Sequence, residues 1–206
     1  MNRIKNGMLL LVFGSLWGII EVFGGEAFFR NGVPFASVWL TGWALLMLGI
    51  ARGLLDRAGS STVVGGTAAL FKLAYAAPYY CHLLGIFYIG LVFDIAASAW
   101  LKNERRSLWR SLSTGVVTAY AGYTLFALTI TYVARYGPWV AGGTAKVLNH
   151  ILSGGSLAAL AALVLVPVGL RIGAGGEAAA RQNPRWTTAG ALVLLVLLWT
   201  IGRFIS

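Results

Sequence analysis

Residues Met8 to Phe29 read MLLLVFGSLWGIIEVFGGEAFF, 22 residues in which two carboxylates interrupt a run of apolar and small side chains. A helix of about 20 such residues crosses the roughly 30 Å hydrocarbon core of a bilayer. The stretch therefore predicts a membrane-spanning helix. It follows Arg3 and Lys5, as a secretory leader would, but it is longer than a usual leader's apolar region. It also lacks a clear small-x-small cleavage site before the next apolar run, so it reads as a retained helix.

The same pattern recurs along the whole chain of 206 residues, which is 58% hydrophobic and only 11% charged, with a mean hydropathy of +0.78. A soluble domain carries about 25% charged residues, so a water-facing fold is excluded. Apolar runs predict spans at Met8 to Phe29, Val33 to Leu55, Thr62 to Tyr80, His82 to Leu101, Leu112 to Ala134, Val147 to Leu170 and Trp186 to Ile205. Within lipid every backbone polar group needs an internal partner, and these runs are too long and too uniformly apolar for barrel strands. The expected fold is an all-α, polytopic helical membrane protein: a six-helix bundle over residues 1–170, a Gly-, Ala- and Arg-rich linker over 171–185, and a seventh hydrophobic helix over 186–206.

The formal charge of +10 would suggest a nucleic-acid partner in a soluble protein, but cytoplasmic loops of membrane proteins collect Lys and Arg. With the N-terminus inside, the inner segments hold Arg3, Lys5, Arg52, Arg57, Lys102, Arg105, Arg106, Arg110, Arg171, Arg181 and Arg185; the outer ones hold Arg30, Arg135, Lys146 and Arg203. The bias of 11 to 4 predicts a multi-pass protein of the cell's inner (plasma) membrane with a cytoplasmic N-terminus and no role in nucleic-acid binding. Cys81 is the single cysteine, which excludes an internal disulfide.

Charges inside spans are costly and point to partners or wet cavities. Glu21, Glu26, Lys72 and Asp94 are such residues. Counted along their helices at about 1.5 Å per residue, Glu21 and Lys72 lie at similar depth below the outer face, and Asp94 lies deeper. A Glu21–Lys72 ion pair is expected, either pinning two helices or serving binding or transport. The outer ends of the spans gather Glu26, Arg30 and Asn31 from the first loop, Tyr79, Tyr80, Cys81 and His82 from the third, and Arg135, Tyr136, Trp139, Lys146, Asn149 and His150 around the fifth. The expected substrate-binding set is Glu21, Glu26, Arg30, Asn31, Lys72, Tyr79, Tyr80, His82, Arg135, Asn149 and His150, with Arg30, Arg135 or Lys146 holding an anionic group of a small, partly aromatic solute.

His82 and His150 raise a second possibility, axial ligation of haem or binding of a metal with Cys81, although no HxxxH or CxxC spacing occurs. The chain carries no GxxxxGK[ST], HExxH or GxSxG motif, so no enzyme activity and no resident cofactor are expected. Small residues spaced by four, Gly14 and Gly18, form a ridge on the first span, and further small-residue surfaces occur at Gly65 to Ala69 and Ser153 to Ala159. Such ridges let helices approach closely.

The six-span arrangement, the Gly14/Gly18 ridge and the Gly- and Ala-rich sixth span Asn149 to Ala159 resemble the substrate-binding S component of energy-coupling factor transporters, over about Met8 to Leu170. The resemblance implies a membrane-embedded subunit that captures a vitamin-like solute near its outer face, docks a coupling transmembrane subunit through Gly14 and Gly18, and is energised by separate ATPase subunits. The seventh span departs from the six-helix pattern, and a chain starting Met1-Asn2-Arg3 lacks the Met-His start of the nickel and cobalt branch. The other function the residues support is a haem- or metal-binding, or scaffolding, membrane subunit of a larger complex.

Overall fold

The computed structural model describes residues 3–75, 80–101, 107–182 and 184–205, and among them every regular element is helical. The main helices are α1 (Arg3–Arg30), α2 (Ala36–Leu55), α3 (Ser60–Tyr75), α4 (Tyr80–Trp100), α5 (Leu108–Leu128), α8 (Gly155–Gln182) and α9 (Pro184–Ile205). Between α5 and α8 the chain makes a π turn over Thr129–Val133, two short helices α6 (Gly137–Val140) and α7 (Gly143–Asn149), and a second π turn over His150–Gly154.

Six helices are long and apolar enough to cross a membrane: α1, α2, α4, α5 with its π turn, the run through α7 and α8, and α9. Their outer surfaces expose large apolar side chains such as Trp39, Leu70, Ile95, Leu160 and Val164. Contiguous apolar surface of this kind needs lipid around it. The protein is a multi-pass membrane protein. α3 stands beside these six as a further helix of the bundle, its 16 described residues rising about 24 Å. α3 buries Ser60, Ser61 and Thr67 against its neighbours and exposes Val63, Leu70 and Leu73 on its other face.

The stretch expected as a linker is helical where it is described: α8 runs on through Arg171 to Gln182, since its Ala-rich sequence favours helix despite the glycines, and α9 starts at Pro184, a residue suited to a helix's first position. α9 is no loose appendage. It packs on α1, where Trp199 Nε1 donates to Ser15 Oγ at 2.9 Å and Tyr75 Oη of α3 donates to the Trp199 carbonyl at 2.9 Å.

Glycines set the closest crossings. α2 and α8, the most extensively packed pair, meet backbone to backbone: a Cβ on Gly49 would lie 3.1 Å from the Val166 carbonyl, and one on Gly169 would lie 2.7 Å from the Leu46 carbonyl. Gly53 and Gly173 make equally close approaches one turn further along. These are two GxxxG ridges facing each other. The Gly14/Gly18 ridge, expected to dock a partner subunit, faces α3 instead. A Cβ on Gly18 would sit 2.6 Å from Phe71 Cβ, and Gly14 lies against Thr67 and the Val64 carbonyl. Both glycines are buried, and the ridge is used inside the molecule.

Candidate binding site

The ends of α1 and α3 and the starts of α2 and α4 fall at the same end of the bundle, with the π turns of the α5–α8 connection. A cavity of about 100 Å³ opens in this half. Each of its walls comes from the turns nearest that end: Trp17, Glu21 and Phe29 on α1, Ser37, Leu40, Thr41 and Ala44 on α2, Cys81, His82, Gly85, Ile86 and Ile89 on α4, Gly122, Tyr123 and Phe126 on α5, and His150 at the second π turn. π turns recur at functional sites because the wider turn redirects side chains; here one begins with His150.

Glu21 is the charged residue of the wall. Lys72 Nζ lies 3.0 Å from its Oε2 and also donates to the Glu21 carbonyl at 3.0 Å, while Trp17 Nε1 donates to Oε1 at 3.2 Å. Both side chains of the ion pair are over nine-tenths buried, at 7% and 8% exposure. Burial of a single charge would be prohibitive, and pairing is what permits it. Across the cavity Tyr123 and Thr41 join their hydroxyls at 3.3 Å. The imidazoles pack by their faces: His82 stacks on Phe29 with centroids 5.2 Å apart, and His150 stacks on Tyr123 at 4.5 Å while meeting Trp139 edge-on at 5.0 Å.

Of the residues expected to bind substrate, the structure brings Glu21, His82 and His150 together in this wall, with Lys72 behind Glu21. Glu26 and Arg30 do not reach it. They form an exposed pair within the last turns of α1, Nη2 to Oε1 at 2.6 Å with side chains 54% and 77% exposed, so Glu26 needs no partner from another helix. Asn31 turns back to donate to the Ala27 carbonyl at 2.8 Å. Arg135 is exposed in a left-handed backbone conformation (φ 51°), and Asn149 is exposed and accepts from Ser153 Oγ at 2.9 Å. Lys146 lies outside as well, donating to the Pro138 carbonyl at 2.9 Å with its Nζ 5.1 Å from the centre of the Trp139 ring. Tyr79 and the side chain of Tyr80 lie outside the described residues. The cations expected to grip an anion are thus on the loops, where long side chains reach water.

The aromatic lining of Trp17, Phe29, Tyr123 and Phe126 escapes sequence reading, because aromatic residues in apolar runs look the same whether they face lipid, core or cavity. Two larger hollows lie elsewhere, a 440 Å³ wedge between the start of α5 and α8 and a 630 Å³ groove between α2 and α8. The groove is apolar and the wedge offers only Ser111 and Arg171, so neither has the convergent polar groups of a small-molecule site. Among the described residues no three His, Cys, Asp or Glu side chains gather as a metal would need.

A second buried charge cluster occupies the opposite end. Asp94 Oδ1 accepts from Arg52 Nη1 at 3.2 Å, from the Gly59 amide at 3.0 Å and from Ser98 Oγ at 3.3 Å. Its Oδ2 accepts from the Thr62 amide and hydroxyl at 3.1 and 2.9 Å. A carboxylate of α4 thereby caps the start of α3. Asp94 pairs with Arg52, so Lys72 is left to Glu21 alone, and Arg52, counted by its sequence position among inner loop cations, is 3% exposed. Comparison with known protein families, curated proteins and solved structures finds no match for this chain.

Proposed function

We propose that this protein captures a small organic solute from the side of the membrane on which α1 ends, and that it belongs to a transport system energised by separate ATPase and coupling subunits, as the S components of energy-coupling factor transporters are. The observation that carries the reading is the cavity itself. A mostly apolar, aromatic chamber with a few convergent polar groups and a buried ion pair in its wall is the ordinary make-up of a small-ligand site, and intramembrane ionisable residues mark substrate pathways by default. The chain has no nucleotide-binding motif, so energy for uphill movement must come from elsewhere. The charge bias of the loops supports a cytoplasmic N-terminus, an orientation that would turn the cavity outward.

Capture is tested by mass spectrometry of small molecules released from protein purified in mild detergent, joined to a thermal-shift screen of solutes. A copurifying solute, or a stabilising one, is the expected result; folded protein that responds to no solute rejects the reading. Dependence on partners is tested separately by copurification, in which ATPase and coupling subunits are expected to follow the protein. Because Gly14 and Gly18 lie under α3, the surface that would dock such subunits has to be another.

His82 and His150 in one wall keep a haem- or metal-binding subunit as the other reading. Against a metal, no third His, Cys, Asp or Glu gathers with them among the described residues. A haem absorbance band, or stoichiometric metal lost on replacing either histidine, would favour it.

A further inference from the structure

The cavity wall has a chemical polarity that its loops conceal. No Lys or Arg among the described residues lines it, although three cations, Arg30, Arg135 and Lys146, stand exposed on the loops of the same end. Glu21 is the only residue in the lining with a formal charge, and four aromatic rings, Trp17, Phe29, Tyr123 and Phe126, share the lining with it.

A carboxylate offers about four acceptor positions on its two oxygens. One is taken by Lys72 and one by Trp17, which leaves capacity on each oxygen for a donor from the cavity. Lys72 stands outside the lining and spends two of its three N–H groups on Glu21. Aromatic faces carry negative electrostatic potential and attract cations within about 6 Å of their centres. An anion entering the cavity would meet Glu21 with only hydroxyl, thiol and imidazole groups to help it.

Resting on the reading of this cavity as a capture site, we infer that its substrate class is a small organic cation, an amine or amidine carried on a flat apolar body, whose N–H groups bind Glu21 while the rings enclose the rest. The volume of about 100 Å³ limits such a molecule to a small one. The anionic ligand expected from the loop cations is replaced by one of opposite charge.

The test uses the full chain in detergent and three probes of matched shape: benzylamine, benzyl alcohol and benzoate, titrated calorimetrically near neutral pH. The expected result is benzylamine binding about tenfold or more tighter than benzyl alcohol, with benzoate weakest. Glu21→Gln alone strands the Lys72 charge and risks misfolding, so the deciding variant is Glu21→Gln with Lys72→Met, which removes the pair together. That double variant should fold and lose the preference for benzylamine. It also measures probe partition into the micelle.

Equal or stronger binding of the alcohol or of benzoate would overturn the cation class and leave capture standing, as would a benzylamine preference undiminished in the double variant. Failure of all three probes would likewise overturn the class. Capture itself falls only if the solute screen and the mass-spectrometric search also find nothing.

Discussion

The two buried ion pairs sit at opposite ends of one bundle and are built differently. Arg52–Asp94 is closed: Asp94 receives five hydrogen bonds, two of them from the amides of Gly59 and Thr62 at the start of α3. Arg52 also donates to the Arg57 carbonyl at 2.7 Å and Ser98 Oγ at 3.3 Å, and its Nε lies 3.8 Å from Asp56 Oδ1. Glu21–Lys72 is open, since Glu21 receives one bond on each oxygen from side chains and borders a cavity. Burial is nearly the same for both. At nearly equal burial the two pairs thus differ in the hydrogen-bonding capacity left on the carboxylate and in whether a cavity borders it.

The largest effect is expected from Asp94→Ala. It strands Arg52 and uncaps α3, costing about 3–5 kcal/mol in a reversible detergent-denaturation assay, with solute affinity unchanged in whatever remains folded. A smaller effect follows from removing both charges at that end. Arg52→Met with Asp94→Leu still leaves the Gly59 and Thr62 amides without their acceptor, a cost of about 2 kcal/mol. Smaller again is Glu21→Gln with Lys72→Met, expected within about 1 kcal/mol of the native protein while abolishing cation preference. Equal destabilisation by the two double variants would erase the distinction between closed and open pairs. At the bottom of the series, Arg30→Ala should change stability by less than about 0.5 kcal/mol and leave affinity untouched, because its partner Glu26 is on the surface; a loss of binding would return the loop cations to the site.

Helix content, the apolar runs and the Glu21–Lys72 pair were legible because each follows from a local rule: span length, hydropathy, and equal rise along two helices. Long-range choices were not. Arg52 reads as a loop cation from its place at the end of a run, and only folding brings it to Asp94, 42 positions away. The burial of Ser60, Ser61 and Thr67 of α3 against neighbouring helices was likewise not legible. The Gly49/Gly53 and Gly169/Gly173 spacings were as visible as Gly14/Gly18, but spacing alone does not say which ridge meets a sister helix. Loop cations and cavity walls share one end of the molecule, and composition cannot tell a side chain that leans into water from one that leans inward.

The seam between α2 and α8 has a mechanical meaning. Where carbonyls and α-carbons touch with no side chains between them, there is no yielding layer to deform, and any slip would separate the contact along its whole length. Those two helices act as a single stiff spar. Ser37 and Thr41 ride on that spar at the wall of the cavity.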